Sequence, residues 1–251
     1  MPRGGLLAFL SVPLVTAYHR PSNLDEALDL LSSPERVALG GGTTLNADRE
    51  PSDLEAVDLQ SLGLDAITAA GDGRVRIGAT ATLDAVQRCE LLPDSLRETA
   101  GLEQPSTMRT LATVGGLVAR ASAESLLLAG LLAHDAQVEL AGPAFGCSLA
   151  ELLAAGLPQG SLITAVTVDP SGRTATARTG RTPADVPIVA AYGRRIEGFV
   201  AMALTGVSNH PVLVDVYDPT AGLEPAGDFR GGRGYRLHLA ATLTARVMEK
   251  L

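Results

Sequence analysis

The sequence predicts an α+β fold, and three observations lead to this prediction. Short strand and helix patterns follow one another irregularly over about the first 160 residues. From about residue 160 the pattern changes to strands at hairpin spacing, which end in one amphipathic helix. A regular succession of strands and long crossover helices is missing from the sequence, which argues against a doubly wound parallel sheet.

The first part of the chain begins with a predicted helix over residues 21–33. Ser22 or Asn23 can cap this helix, and leucines recur in it at helical spacing. Residues 74–79 alternate between apolar and polar side chains, which indicates a half-buried strand, and the apolar run 125–134 indicates a buried helix. The other predicted elements of this part are strands at 37–39, 56–59 and 137–140 and helices at 82–89, 93–109 and 149–153.

The second part of the chain is predicted to be a small antiparallel sheet with a terminal helix. Residues 162–168 alternate as a strand, and residues 174–181 can pair with them across the turn at 169–172, which reads Asp-Pro-Ser-Gly. The other predicted elements here are strands at 186–192, 198–205 and 211–216 and a helix at 234–251.

Composition excludes several classes of function. The chain has 251 residues, 46% of them hydrophobic, which is enough for one large domain or for two or three small ones. The formal net charge of −8 and the spread of acidic residues argue against a nucleic-acid-binding surface. Aromatic residues make up only 3% of the chain, so a stacking platform for bases is not expected. No stretch approaches the roughly 20 apolar residues of a membrane span.

The cysteines, the histidines and the N-terminal segment do not indicate a catalytic or metal-binding function. Cys89 and Cys147 are too few to hold an iron–sulfur cluster alone and are predicted to be free thiols in a reducing compartment. Residues 1–15 are predicted to be an N-terminal extension or a first strand rather than a signal peptide. The scattered histidines are predicted to have no metal-binding or catalytic role; they are His19, His134, His210 and His238.

Two glycine-rich turns are the most informative local motifs. They are residues 40–44, Gly-Gly-Gly-Thr-Thr, and residues 113–116, Thr-Val-Gly-Gly. Glycine lets backbone N–H groups approach an anion closely, and threonine adds an uncharged donor. Either turn alone fits an ordinary tight turn equally well, and neither is a Walker loop, because no lysine follows the glycines. Together they predict a site that holds the two phosphates of a dinucleotide from opposite sides.

The order of the motifs along the chain resembles a known family. Tyr18-x-x-Pro21 precedes a helix, the first glycine turn follows, and Met108-Arg109-x-x-Ala112 leads into the second turn. This resembles the FAD-binding subunit of the molybdenum hydroxylases, such as the medium subunit of carbon monoxide dehydrogenase, and the same module inside xanthine dehydrogenase. The later segments that are similar to this family are Arg181 to Val186, Thr205 to Val212 and Asp228 to Arg236.

The resemblance covers about residues 16–251 and implies a division into domains. It implies a two-lobed FAD-binding domain of the molybdopterin dehydrogenase (PCMH) type, followed by a small α+β C-terminal domain with an antiparallel sheet and helices. After the N-terminal extension, lobe 1 would span residues 16–70 and lobe 2 residues 71–158. Residues 159–251 would form a shortened C-terminal domain of the carbon monoxide dehydrogenase flavoprotein type.

The resemblance also implies which residues bind FAD. The first turn would wrap the pyrophosphate with Thr43 as a hydroxyl donor, and the second turn would close the opposite side. Ile163 would pack near the adenine or the flavin and Arg178 near the flavin, although an ordinary core residue and a solvated strand residue are the alternatives. Arg109 would either anchor the second loop through backbone carbonyls or touch FAD. The implied FAD-binding residues are Leu39, Gly40, Gly41, Gly42, Thr43, Thr44, Leu45, Arg109, Thr113, Val114, Gly115, Gly116, Leu117, Ile163 and Arg178, with no catalytic or metal-binding residue among them.

Three positions depart from the family pattern. Leu117 replaces an asparagine, Leu126 replaces an aspartate that usually contacts the cofactor, and Thr44 replaces an aspartate. Glu124, two residues before Leu126, is a candidate to stand in for the missing carboxylate. Each missing hydrogen bond to the cofactor is worth on the order of 1 kcal/mol, so the departures bear on cofactor affinity rather than on the fold.

The resemblance implies a subunit that transfers electrons rather than one that transforms a substrate. A molybdopterin-binding large subunit would oxidise the substrate, and a small subunit with [2Fe–2S] clusters would relay the electrons to FAD. FAD would pass them to NAD, a quinone or another acceptor, in a complex expected to be cytoplasmic. The alternatives are a degenerate family member that lacks FAD and has a structural or assembly role, and a binding module for another nucleotide.

Overall fold

The computed structural model describes residues 15–45, 47, 53–180, 182 and 185–251. The predicted N-terminal extension therefore lies outside the described residues, apart from Val15. The helices are α1 (Leu24–Leu31), α2 (Leu83–Arg88), α3 (Asp94–Glu103), α4 (Ser106–Arg109), α5 (Val114–Arg120), α6 (Leu126–Ala133), α7 (Leu149–Ala155) and α8 (Arg233–Lys250), with one 3-10 turn at Gln60–Leu62. The strands are β1 (Ala17–His19), β2 (Arg36–Leu39), β3 (Glu55–Asp58), β4 (Ile67–Ala69), β5 (Val75–Gly78), β6 (Gln137–Ala141), β7 (Cys147–Ser148), β8 (Leu162–Val168), β9 (Arg173–Thr179), β10 (Val189–Ile196), β11 (Phe199–Thr205) and β12 (Val212–Val214).

The strands form three sheets, and the predicted α+β class is confirmed. A three-stranded parallel sheet has the order β1-β3-β2. A five-stranded antiparallel sheet has the order β4-β5-β8-β6-β7, and a four-stranded antiparallel sheet has the order β12-β11-β10-β9. No described helix is both long enough and apolar enough to cross a membrane.

The pairing of β8 with β9 was predicted wrongly. Both edges of β8 are already occupied, one by β5 and the other by β6, so β9 pairs with β10 in a different sheet. The connection at 169–172 links two sheets instead of closing a hairpin, and Gly172 takes a φ of +94° there. Strand β8 shares a sheet with β4 to β7, which belong to the predicted lobe 2 apart from β4. The predicted domain boundary at residue 159 therefore remains a proposal, and β8 packs with lobe 2 rather than with the C-terminal domain.

Several element boundaries have clear local causes. Asn23 caps α1 by accepting a hydrogen bond from the Glu26 N–H, and Thr82 caps α2 in the same way through the Ala85 N–H. The helix predicted over 93–109 is divided into α3 and α4, because Pro105 precedes the start of α4 and cannot continue a helix. Cys89 and Cys147 are free thiols, as predicted.

The core consists of two clusters that share strand β10. Every residue of α6 is buried, as the apolar run predicted, and this helix lies at the centre of the larger cluster. Ala190 and Tyr192 of β10 face that cluster, whereas Val189 and Ala191 face the smaller cluster around α8. Because side chains alternate along a strand, β10 joins the two halves of the molecule through one continuous layer.

A buried polar cluster ties these layers together at the end of α6. His134 is fully buried; its Nε2 atom lies 2.9 Å from the Tyr192 hydroxyl and its Nδ1 atom 2.7 Å from the Asp169 carbonyl oxygen. The Tyr192 hydroxyl also forms a hydrogen bond with Ser95 on α3. Burial lowers the pKa of His134 to about 4, so this imidazole is neutral in the native protein near pH 7.

The segment Asp228 to Arg236, which resembled the family, has a structural role. Arg236 is buried and donates hydrogen bonds to the carbonyl oxygens of Ile188 and Gly206, at 2.9 and 2.8 Å. Its guanidinium also pairs with Asp228 and holds the pKa of that carboxyl well below its usual range. The segment therefore fixes the ends of β10 and β11 against α8.

Candidate functional site

The two glycine turns lie against each other and border one cavity of about 290 Å³. The first turn connects β2 to the segment before β3, and the second lies at the start of α5. Ten of the fifteen residues predicted to bind the cofactor line this cavity: Leu39, Gly40, Gly41, Gly42, Thr43, Thr44, Leu45, Thr113, Gly116 and Leu117. The other lining residues, which sequence reasoning missed, are Val37, Ala38, Leu83, Gln104, Ala112, Ala119 and Arg120.

The glycines of the first turn are needed for the contact between the two turns. A Cβ atom at Gly41 would lie 1.6 Å from the carbonyl oxygen of Leu111, and a Cβ at Gly40 would lie 2.7 Å from the Thr113 hydroxyl oxygen. Gly42 has a φ of +70°, a conformation that favours glycine. At Gly40 and Gly41 the missing side chain thus lets one loop pack onto the other, a role distinct from the predicted approach to an anion.

The backbone of the first turn has a row of N–H groups that donate to none of the described residues. Among the residues that the structure describes, the N–H groups of Gly40 to Leu45 donate to no backbone acceptor. The strand ladder ends just before them, where the Leu39 carbonyl oxygen accepts from the Leu59 N–H at 3.0 Å. Unpaired backbone donors beside a cavity require water or a ligand as a partner. The first turn therefore has the donor set that an anion needs.

The second turn differs from the first, because the N–H groups of Val114, Gly115 and Gly116 donate within the protein. The Val114 N–H donates to the Ala81 carbonyl at 2.9 Å, and the Gly115 N–H donates to the Ala79 carbonyl at 2.8 Å. The Gly116 N–H donates to the Thr113 hydroxyl, which caps α5. Gly115 also lies too close to Ala79 to carry a side chain. The second turn thus forms a wall of the cavity, and the Thr113 hydroxyl donates to none of the described residues.

The three predicted residues outside the two turns have different positions. Arg109 lies outside the cavity, and its Nη1 atom donates to the carbonyl oxygens of Gly101 and Gln104, at 2.9 and 2.8 Å. It anchors the backbone that leads into the second turn. Ile163 is buried in the larger core cluster and does not line the cavity. Arg178 is exposed and borders a second, smaller cavity.

The smaller cavity, of about 140 Å³, lies beside the larger one and borders the C-terminal part of the chain. Gln104, Leu117 and Arg120 line both cavities, so the two are adjacent, and together they are called the cleft. Arg178 and Val186 border its far end. The cleft therefore extends from the first glycine turn to the edge of the four-stranded sheet.

Acidic residues on the smaller cavity are occupied by protein partners. Glu124, the proposed substitute for the family's aspartate, pairs with Arg230. Glu103 accepts hydrogen bonds from the Leu127 N–H at 2.7 Å and the Ser125 hydroxyl at 3.0 Å, and so caps α6. Burial raises the pKa of Glu103. Leu126 is buried as the first residue of α6, so neither the family position nor Glu124 offers a free carboxylate here.

A family model for the FAD-binding domain in molybdopterin dehydrogenases matches residues 14–168. The chain belongs to this family. Its relatives include the uncharacterized protein YgfM of Escherichia coli strain K12, which is 30% identical over 249 residues covering 92% of this chain and 95% of YgfM. The match to the family model ends at Val168, the last residue of β8, and so contains both glycine turns and the larger cavity.

Solved structures of two oxidoreductases share the fold of this FAD-binding family member. CO dehydrogenase from Oligotropha carboxidovorans has a TM-score of 0.81 and 25% identity, with coverage of 93% of this chain and 96% of the other. Quinoline 2-oxidoreductase from Pseudomonas putida 86 has a TM-score of 0.81 and 22% identity, with coverage of 93% and 95%. Both likenesses extend through the C-terminal part of the chain, which confirms the resemblance inferred from the sequence.

Proposed function

We propose that this chain is the FAD-binding electron-transfer subunit of a molybdenum-containing hydroxylase or dehydrogenase complex. The observation that carries the proposal is the row of N–H groups from Gly40 to Leu45, which lie beside the cavity and donate to none of the described residues. The pyrophosphate of FAD consists of two esterified phosphates joined by an anhydride oxygen, and it needs several donors in close succession. Backbone N–H groups in a glycine-rich turn supply them without bulk or charge.

The residues of the cleft fit the parts of the cofactor. The first turn would hold the pyrophosphate, and the hydroxyls of Thr43 and Thr113 would add donors. Leu83 and Leu117 would pack against apolar faces of the cofactor, in a cavity near the lower end of the roughly 300–1,000 Å³ range of ligand sites. Arg178 would border the cofactor at the far end. Arg109, Val114, Gly115 and Ile163 would support the site from behind without touching the cofactor.

In the proposed mechanism the protein positions the cofactor and shapes its surroundings. Bound FAD would supply redox chemistry that accepts electrons from one partner and gives them to another. The first turn would fix the cofactor by its pyrophosphate, and Leu117 would exclude water at the junction of the two cavities. The positive charge of Arg178 would favour negative charge at the far end of the cleft. No proton transfer by a side chain of this chain is needed.

The partners follow from the same proposal. A molybdopterin-binding large subunit would oxidise the substrate, and a small subunit with [2Fe–2S] clusters would carry electrons to this chain. NAD, a quinone or another acceptor would receive them, and we propose a cytoplasmic location for the complex. The likeness to CO dehydrogenase supports this assembly, since a solved form of that enzyme contains copper and molybdenum.

A second candidate is a family member that does not bind FAD and serves in assembly. It is favoured by Leu117 and Leu126, which are apolar where the family has polar residues, and by the pairing of Glu124 with Arg230. Under this candidate the cleft would bind no flavin, although the fold and the partner surfaces would persist. Measurement of flavin binding separates the two candidates.

Gly116→Leu tests the proposed function by filling the cavity. A Cβ at Gly116 meets only the Thr113 hydroxyl oxygen, at 3.1 Å, and leucine favours the helix, so the fold should persist. We expect the FAD affinity of the full chain to fall at least tenfold, measured by quenching of flavin fluorescence. Gly234→Leu is the matched control, because Gly234 also lies in the first turn of a helix and has no atom near its Cβ position. Equal affinities of the wild type and Gly116→Leu would contradict this location of the site.

A further inference from the structure

Arg120 is the only charged residue among the described residues that line the larger cavity. It is the last residue of α5, and it also lines the smaller cavity, so it borders both parts of the cleft. Within the described part of the chain, its guanidinium takes part in no ion pair. Ala121 ends the helix in a left-handed conformation, with hydrogen bonds from its N–H to the carbonyls of Leu117 and Val118, which fixes the backbone at this point.

The net charge of the chain indicates why a guanidinium at this cavity would favour a bound anion. The chain as a whole carries −8, so its long-range field opposes the approach of an anion. The N–H groups of the first turn offer hydrogen bonds but no net charge. The residues that replace family polar groups, Leu117 and Leu126, add neither. A cation at the cavity would stabilise the two negative charges of a pyrophosphate beyond what the N–H groups provide, and Arg120 is the cation among the described residues that line it.

Arginine also has the geometry for this task. Its planar guanidinium carries five N–H donors and is charged at every relevant pH, so it can form paired hydrogen bonds with phosphate oxygens. The acidic side chain that interacts with Arg120 through its charge, Glu103, is buried and occupied by Leu127 and Ser125. Among the described residues, no carboxylate therefore holds Arg120 away from a ligand in the cavity.

We propose that Arg120 binds the pyrophosphate of the cofactor and selects FAD over flavins that lack a pyrophosphate. The inference rests on the proposed function, because it assigns a residue to the same site. It also explains how the site compensates for leucine at positions 117 and 126, where the family has polar residues. The interaction is electrostatic, so FAD affinity should fall as the salt concentration rises.

The test compares three probes on the full chain: FAD, ADP and riboflavin. We expect Arg120→Gln to weaken binding of FAD and of ADP about tenfold, the equivalent of one charge-assisted hydrogen bond, and to leave riboflavin affinity unchanged. Arg120→Lys should restore affinity to within about threefold of the wild type, and its salt dependence should persist. Arg246→Gln is the control, because it removes the same charge from the exposed face of α8 and should change no affinity.

The outcomes separate this inference from the proposed function. If Arg120→Gln binds FAD as tightly as the wild type, or loses riboflavin and FAD affinity equally, Arg120 has no role toward the pyrophosphate. If the wild type binds no FAD, the proposed function fails, and ADP alone decides the role of Arg120. A tenfold loss of ADP affinity in Arg120→Gln would then support it. Unchanged or absent ADP binding would overturn it.

Discussion

Gly41→Ala is expected to lower the FAD affinity of the full chain at least a hundredfold, equivalent to about 2.7 kcal/mol. The added methyl group would lie 1.6 Å from the Leu111 carbonyl oxygen, a distance that no rotation of a side chain can relieve, because both atoms are fixed to the backbone. The first turn must then move away from the second. Its N–H groups would then be displaced from the cavity that these residues line.

The control for this change is Gly71→Ala. Gly71 has no atom within 4 Å of its Cβ position, and it lies in an exposed turn, so alanine should be accepted there without effect. Flavin fluorescence quenching gives the affinities, and circular dichroism shows that both variants fold. Wild-type affinity in folded Gly41→Ala would mean that the contact between the turns does not organise the cofactor site.

The second large effect concerns stability at acid pH and arises at His134. Burial lowers the pKa of His134 to about 4, whereas histidine in an unfolded chain titrates near 6.5. Between these values the unfolded chain binds the extra proton and the native state does not. The free energy of unfolding therefore decreases as the pH falls from about 6.5 to about 4, by on the order of 3 kcal/mol.

The titration of the charged groups around His134 falls in a different pH range from that of His134 itself. Asp169 and Arg194 form an ion pair beside the imidazole. Burial opposes ionisation of Asp169, but hydrogen bonds from Ser171 and from Arg194 outweigh it and lower the pKa of this carboxyl to about 2. Its contribution to stability is present above the ordinary aspartate pKa of 3.8 and is lost only below it. The loss between pH 6.5 and 4 at this cluster thus belongs to His134.

Denaturant unfolding at a series of pH values tests this account. The wild type should lose stability through this window, whereas His134→Gln should show a flatter dependence, whatever its absolute stability. His238→Gln is the control, since His238 lies exposed on α8 and its loss should leave the dependence unchanged. If the free energy of unfolding of the wild type and of His134→Gln depended on pH in the same way, the account of a buried neutral imidazole at His134 would be wrong.

Much of the fold could be predicted because the local signals were strong. The apolar run that forms α6 has no polar face, and a helix that is apolar on all sides is expected to be buried on all sides. The order of the glycine turns and their flanking motifs identified the family. The pairing of β8 could not be predicted, since an Asp-Pro-Ser-Gly connection between two alternating runs suits a hairpin and a crossing between sheets equally well.

The site was predicted in outline but not in its division of roles. Sequence reasoning treated the two glycine turns as equivalent, because it could not show that the carbonyls of Ala79 and Ala81 accept from the N–H groups of Gly115 and Val114. It missed Arg120, although helical spacing places residue 120 on the same face as Gly116 and Leu117. Gln104 had no signal at all, because only the end of α3 brings it to the cleft.

The most direct test is the flavin content of the protein purified together with its partners. Acid release and identification of the cofactor should give FAD, at one molecule per chain, if the first glycine turn holds a pyrophosphate. That result would show that the turn and its surroundings suffice without the asparagine and aspartate of the family. A colourless complex that takes up no added FAD would contradict the proposed function and favour the assembly role.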